Sequence, residues 1–184
     1  METQTLYQKA IKFATAKHLE QKQVVPGTEL PYVVHLSNVA MEILVAGSQT
    51  DPFDLGFAVQ VALLHDTLED TATTFEELAF RFGYAIAEAV SALSKDAELP
   101  KAQQMADSLL RIKKLRPEVS AVKLADRITN LQRPPQHWDQ AMIKRYREEA
   151  GQILAALREG NAYLARRLEG KIMEYAKTDT SQTI

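Results

Sequence analysis

No cysteine occurs among the 184 residues. Disulfides and thiolate chemistry are therefore excluded, and a metal can be held only by His, Asp, Glu or water. Neither sign of charge dominates: 22 Lys and Arg against 24 Asp and Glu leave −2. A broad nucleic-acid footprint normally needs a basic excess, so no nucleic-acid partner is expected. No stretch approaches the roughly 18 apolar residues of a membrane span, and the N-terminus lacks the basic, apolar and small-residue order of a signal peptide. No membrane association is expected, and a cytoplasmic location is the default. Strand-like alternation and internal repeats are missing too. What is present, 46% hydrophobic and 25% charged residues, is the balance of a folded globule and excludes a mainly disordered chain.

Helical periodicity runs through the sequence. From Leu6 to Lys22, Leu6, Ala10, Phe13, Ala14 and Leu19 recur at three- and four-residue spacing, until Pro26-Gly27 breaks the pattern. A second helix is expected from near Pro31 to Gly47. Asp51-Pro52 reads as an N-cap followed by an N1 proline, opening a very apolar helix to about Glu69. A helix apolar nearly all round belongs in the centre of a bundle. Thr73 with Glu76, or Thr74 with Glu77, fits a capping box for a short helix ending at Gly83. Further helices are expected over Tyr84 to Leu93, Leu99 to Leu115, Glu118 to Asn130, Trp138 to Leu157 and Tyr163 to Tyr175. The gaps are short. The expected architecture is all-α, a compact bundle of seven to nine helices in one domain over residues 1–178, with 179–184 a frayed tail.

The chemistry concentrates in Leu63-Leu64-His65-Asp66-Thr67-Leu68-Glu69-Asp70. Four ionisable side chains end a very apolar helix, and burying them unpaired would cost several kcal/mol, on the order of a few for each group. A cation removes that cost. His65 and Asp66 diverge by about 100° around a helix axis but both reach a centre between their directions. Glu69 and Asp70 follow one turn later and overhang that centre, where a carboxylate can orient or deprotonate water. His35, on an apolar-periodic helix, and Asp126, following Leu124 and Ala125, would complete the ligand set His35, His65, Asp66 and Asp126. Two imidazoles and two carboxylates suit Mn²⁺, Fe²⁺ or Zn²⁺ better than Mg²⁺, and Mn²⁺ is favoured.

Charge is uneven along the chain. Asp51 to Val90 holds eight acidic residues and one basic residue, whereas Lys95 to Arg127 holds eight basic and five acidic. Solvated faces explain this, or an acidic metal site opposed by a basic wall that holds phosphate. Lys22, Lys95, Lys101 and Arg127 are the candidate anion holders, and Arg127 could instead brace Asp66 or Glu69.

The spacing of His35, His65-Asp66 and Asp126 resembles the H…HD…D pattern of the HD-domain metal-dependent phosphohydrolases. Ala16-Lys17-His18 with Gln21, Gly27 to His35, Ala62 to Thr71, Phe82-Gly83 and Lys123 to Leu131 are similar to the hydrolase domains of RelA/SpoT-type alarmone enzymes and of stand-alone small alarmone hydrolases. That resemblance implies an all-α hydrolase, usually with Mn²⁺, that removes the 3′-diphosphate of ppGpp or pppGpp to leave GDP or GTP and pyrophosphate. It implies His35, His65, Asp66 and Asp126 as metal ligands, Glu69 and Asp70 as the pair that positions and activates water, and Asn130 as a nucleotide contact. The chain's length leaves no room beside this for a synthetase domain, so the implied role is degradation.

Two departures stand out. The family usually carries an arginine that packs on the guanine base where this chain has Gln23, which cannot make the same cation–π contact. The family's His-Pro is His35-Leu36. The Gln23 departure leaves open the same metal site acting on NADPH or a nucleoside monophosphate; nucleotide binding without turnover, against which Glu69-Asp70 argues, and a purely structural bundle are the further alternatives. Trp138, beside Pro134-Pro135, either lids the pocket or seals the bundle. Oligomeric state leaves no signal in the pattern.

Overall fold

The most apolar segment becomes the central helix. In the computed structural model, which describes residues 2–132, 134 and 137–180 with side chains up to residue 175, α3 (Leu55–Leu64) buries seven of its ten residues. It packs against α1 (Thr3–Glu20), α2 (Val33–Ser48), α6 (Tyr84–Leu93) and α8 (Pro117–Asn130). Full burial of a Val or Leu contributes about 1.5–3 kcal/mol, so Val61, Leu63 and Leu64 anchor the bundle. The one-turn α4 (Thr67–Asp70), α5 (Phe75–Phe82), α7 (Lys101–Ile112), α9 (Gln140–Leu157) and α10 (Ala162–Thr180) complete an all-α architecture. Among the described residues nine helices have two turns or more, and a 3₁₀ turn at Arg158–Gly160 joins α9 to α10. No described helix is long and apolar enough to cross a membrane.

Three expectations from the sequence need correction. The cap of α3 is Asp54, which accepts from the Phe57 N–H at 3.0 Å, rather than Asp51. Asp54 wins because its own N–H is anchored by Glu118 at 2.9 Å and its carboxylate by Arg116 at 2.9 Å, tying the loop to α8. The helix also does not run unbroken to Glu69. Ring nitrogen Nδ1 of His65 takes the Ala62 carbonyl at 2.8 Å, and the Thr67 hydroxyl takes that of Leu64 at 2.7 Å. These side chains compete for carbonyls at the end of α3, and the chain turns at Asp66 (ψ −1°) before α4. Finally, α7 starts at Lys101 instead of near Leu99, directly after Pro100.

Other signals read as expected. Thr74 caps α5 by accepting from the Glu77 N–H at 3.2 Å, while the Glu77 carboxylate pairs with Lys17 and Arg81 in place of closing the box. Gly83 links α5 to α6 at φ 94°, a backbone position that favours glycine. Gly160 lets the 3₁₀ turn lie against α8, since an added Cβ would sit 2.3 Å from that of Ser120. Trp138 is partly buried, stacks edge-on against Tyr146 and packs on the core. Its neighbours Pro135 and Gln136, and residues 181–184 of the expected tail, lie outside the described residues, while 179 and 180 continue α10.

Candidate active site

Three mutually packed helices each bring one metal-binding side chain to the same point. α2 supplies His35, the end of α3 supplies His65, and α8 supplies Asp126, all buried. Their donor atoms lie within 4.8 Å of one another. The two Nε2 atoms face each other at 3.4 Å, and Asp126 Oδ1 is 3.5 Å from His35 Nε2 and 3.7 Å from His65 Nε2. Asp66 adds Oδ2 at 2.9 Å from His65 Nε2 and 3.7 Å from His35 Nε2. Donors that share one ion at about 2.1 Å sit about 3.0–3.4 Å apart, so this spacing suits a single cation.

The far side of each imidazole is held in place. His65 donates Nδ1–H to Ala62, which leaves Nε2 as the lone-pair nitrogen toward the cluster. His35 Nδ1 lies 3.4 Å from the Thr129 hydroxyl, which itself donates to the Asp126 carbonyl at 2.9 Å. Such outer partners set tautomer and ring angle. Burial disfavours an imidazolium at His65, yet the Asp66 and Asp126 carboxylates outweigh it and raise its pKa. Burial likewise pushes Asp126 up, but Lys123 and the two imidazoles hold it well below 3.8. The site thus favours positive charge strongly at its centre, and a divalent cation would displace protons to occupy it. The donor set, its spacing and its charge all fit the divalent metal that the residue pattern implies.

The structure treats the remaining candidates unequally. Glu69 accepts from the Lys95 backbone N–H at 2.9 Å and pairs with its ammonium at 3.0 Å. Lys95, Lys101, Glu69 and Glu149 line one cleft of about 550 Å³ between α4, α7 and α9, whose walls include none of the four cluster residues. Asn130 donates Nδ2–H to Asp126 Oδ1 at 2.5 Å, and Gln23 donates to Asp70 Oδ2 at 2.8 Å. Lys22 is exposed at the exit from α1, with φ 52°. Arg127 is placed otherwise than as a brace for Asp66 or Glu69: it is buried, stacks 4.4 Å from the Tyr146 ring centroid and pairs with Glu149 at 3.7 Å, both on α9. Adjacent positions on α8 point about 100° apart, so Asp126 facing the cluster turns Arg127 away.

Four contributors were missed by sequence reasoning. Tyr32 donates its hydroxyl to Asp66 Oδ2, Thr129 supports His35, Lys123 lies 3.2 Å from Asp126 Oδ2, and His18 contacts Gln23 and the Tyr32 ring. Spacing held a signal for three of them. Tyr32 is three residues before His35, and Lys123 and Thr129 flank Asp126 at three residues either way, the separation at which helical side chains meet.

These features define a class of protein. The sequence pattern of the HD domain matches residues 10–161, and the chain belongs to the HD-domain family. Within that family it is related to the RelA/SpoT-type and small alarmone hydrolases. It is 36% identical over 169 residues to the guanosine-3′,5′-bis(diphosphate) 3′-pyrophosphohydrolase MESH1 of Danio rerio, covering 89% of this chain and 91% of that protein. Its identity to the Homo sapiens protein of the same name is 33% over 165 residues, covering 87% and 89%. A solved structure described as a metazoan ortholog of SpoT that hydrolyzes ppGpp superposes with a TM-score of 0.78 at 28% identity, covering 92% of this chain and 94% of that one.

Proposed function

We propose that the chain hydrolyses ppGpp and pppGpp to GDP or GTP and pyrophosphate, with Mn²⁺ held by His35, His65, Asp66 and Asp126. The observation that carries this reading is the convergence of His35, His65 and Asp126 from α2, the end of α3 and α8, with Asp66 beside them from the turn before α4 and the exposed carboxylates Glu69 and Asp70 following on α4. When bound, the cation supplies Lewis acidity, which acidifies water and offsets charge developing on phosphoryl oxygens.

The protein's own groups divide the remaining work. Partial desolvation raises the Asp70 pKa above 3.8; the Gln23 hydrogen bond opposes the rise, and the neighbouring Asp66 and Glu69 charges add to it. A carboxylate made more basic in this way is the better proton acceptor, so Asp70 takes the proton from the water that attacks the inner 3′-phosphorus and returns it to the 3′-oxygen as the P–O3′ bond breaks. Glu69, fixed by Lys95, aligns that water and keeps the ammonium beside the cleft. Lys95 and Lys101 hold the departing diphosphate. Asn130 gives one amide N–H to Asp126 and keeps its second N–H and its carbonyl for the nucleotide.

The test is product release across ppGpp, pppGpp, NADPH, GMP, dGMP and AMP by Mn²⁺-loaded protein, reading pyrophosphate and inorganic phosphate separately, with a chelator control. Pyrophosphate from ppGpp and pppGpp alone is the expected result. Inorganic phosphate from NADPH or a monophosphate, with ppGpp untouched, would keep the metal site and overturn the substrate.

A further inference from the structure

Gln23 is committed at every polar group. Its N–H donates to the His18 carbonyl at 3.1 Å and its carbonyl accepts from the Tyr32 N–H at 3.2 Å, which fixes its backbone between the end of α1 and the approach to α2. Its side-chain Oε1 lies 2.5 Å from His18 Nδ1, and its Nε2 donates to Asp70 Oδ2 at 2.8 Å. His18 is 1% exposed and is held by the Tyr32 ring, 4.7 Å between centroids. The order of donors follows from chemistry. An ionised Asp70 only accepts, so Gln23 must turn its NH₂ toward Asp70 and its oxygen toward His18. His18 must then carry its proton on Nδ1. The opposite tautomer would flip the amide and set its oxygen against the carboxylate.

We propose that Gln23, oriented by His18, is a positioning residue that holds the Asp70 carboxylate in line for the attacking water, and that it makes no contact with the base of the substrate. The chain His18 Nδ1–H to Gln23 Oε1, then Gln23 Nε2–H to Asp70 Oδ2, links a buried ring to an exposed carboxylate on α4, its second bond alone spanning 47 residues of sequence. It aims one oxygen of Asp70 and leaves the other free for water. Base selectivity must then arise elsewhere in the cleft. This inference rests on the proposed role of Asp70.

Two measurements test it. Nitrogen-15 NMR of the imidazoles reads the tautomer of His18 in the whole protein without any substrate. The expected result is an Nδ1–H ring whose proton exchanges slowly with solvent in wild type and quickly in Gln23→Leu; an Nε2–H ring in wild type overturns the proposal. Kinetics of Gln23→Leu on whichever nucleotide the wild type turns over give the second reading. Loss of a hydrogen bond to a charged group predicts a kcat lower by about 10- to 100-fold, with KM within about two-fold. The acid limb of kcat should also move to higher pH, because this hydrogen bond favours ionised Asp70 against burial, Asp66 and Glu69. Gln23→Glu keeps the bond from His18 but repels Asp70, and should lose at least as much kcat. A raised KM with kcat and pH profile unchanged would make Gln23 a base contact and refute the proposal. If wild type releases nothing from ppGpp or pppGpp, the substrate reading fails, while the NMR arm still decides the hydrogen-bond chain.

Discussion

Tyr32→Phe removes one oxygen from the site and little else. The Tyr32 ring is wedged between His18 at 4.7 Å and His35 at 5.1 Å, and phenylalanine keeps both contacts. The hydroxyl donates to Asp66 Oδ2, the oxygen 2.9 Å from His65 Nε2. Burial and the adjacent Asp66 charge raise the phenol pKa far above its ordinary 10, so it remains a donor at any working pH. A hydrogen bond to a charged acceptor is worth about 1.5–3 kcal/mol, or about 10- to 100-fold in an equilibrium constant. The same range describes loss of outer partners of metal ligands. Titration calorimetry with Mn²⁺ should therefore show an affinity about 10- to 100-fold weaker in Tyr32→Phe, because Asp66 is no longer held toward the cluster. Thermal stability in chelator should fall only slightly, by a few degrees at about 2–4 °C per kcal/mol for a chain of this size. An unchanged or tighter Mn²⁺ affinity at equal stability would refute the orienting role of the hydroxyl.

Further expectations concern catalysis and stability. Asp70→Asn should lower turnover by about 10²- to 10⁴-fold and Glu69→Gln should abolish most of it, with nucleotide binding by calorimetry retained in both; unchanged turnover sinks their assignment. Because Asp70 must be ionised to accept a proton and its pKa lies above 3.8, wild-type kcat should decline as pH falls through that raised value, and Asp70→Asn should lack this limb. Gly160→Ala forces a Cβ to within 2.3 Å of Ser120 and should destabilise by about 1–3 kcal/mol, with Ser120→Gly restoring the denaturant midpoint. Asp54→Ala should cost about 1 kcal/mol at neutral pH through the lost cap. The Phe57 N–H, and after it Arg116, depress the Asp54 pKa in the folded state. Its contribution is thus present above 3.8 and lost as pH falls through the lower folded value, so the variant's deficit should vanish in strong acid.

The helical class and the His65-Asp66 end of the candidate metal cluster were legible because both are written in local pattern. Periodic apolar residues mark a helix wherever they occur, and four ionisable groups closing the most apolar helix cannot be left unpaired. The substrate-side residues were less legible. Lys95 is placed by its backbone and ammonium contacts to Glu69, 26 residues away, and no spacing rule predicts that distance. Arg127 adjoins Asp126 in sequence, but helix geometry turns it toward Tyr146 and Glu149 and away from bracing Asp66 or Glu69.

The start of α3 and its break at His65 mark the same boundary. Asp51-Pro52 satisfies the local rule for a helix start, yet Asp54 prevails because Glu118 and Arg116, from another helix, hold it. Composition and periodicity were enough to indicate an all-α bundle, and the His65-Asp66-x-x-Glu69-Asp70 run marked where a cation could sit, since those depend on neighbours within a turn or two. The packing of α2, α3 and α8 decided the rest: that His35, His65 and Asp126 meet within 4.8 Å, that Tyr32 and Thr129 stand behind them, and that Gln23 faces Asp70. Those contacts join residues 30 to 94 positions apart, and only the folded core, by fixing which helix faces touch, converts such separations into bonding distances.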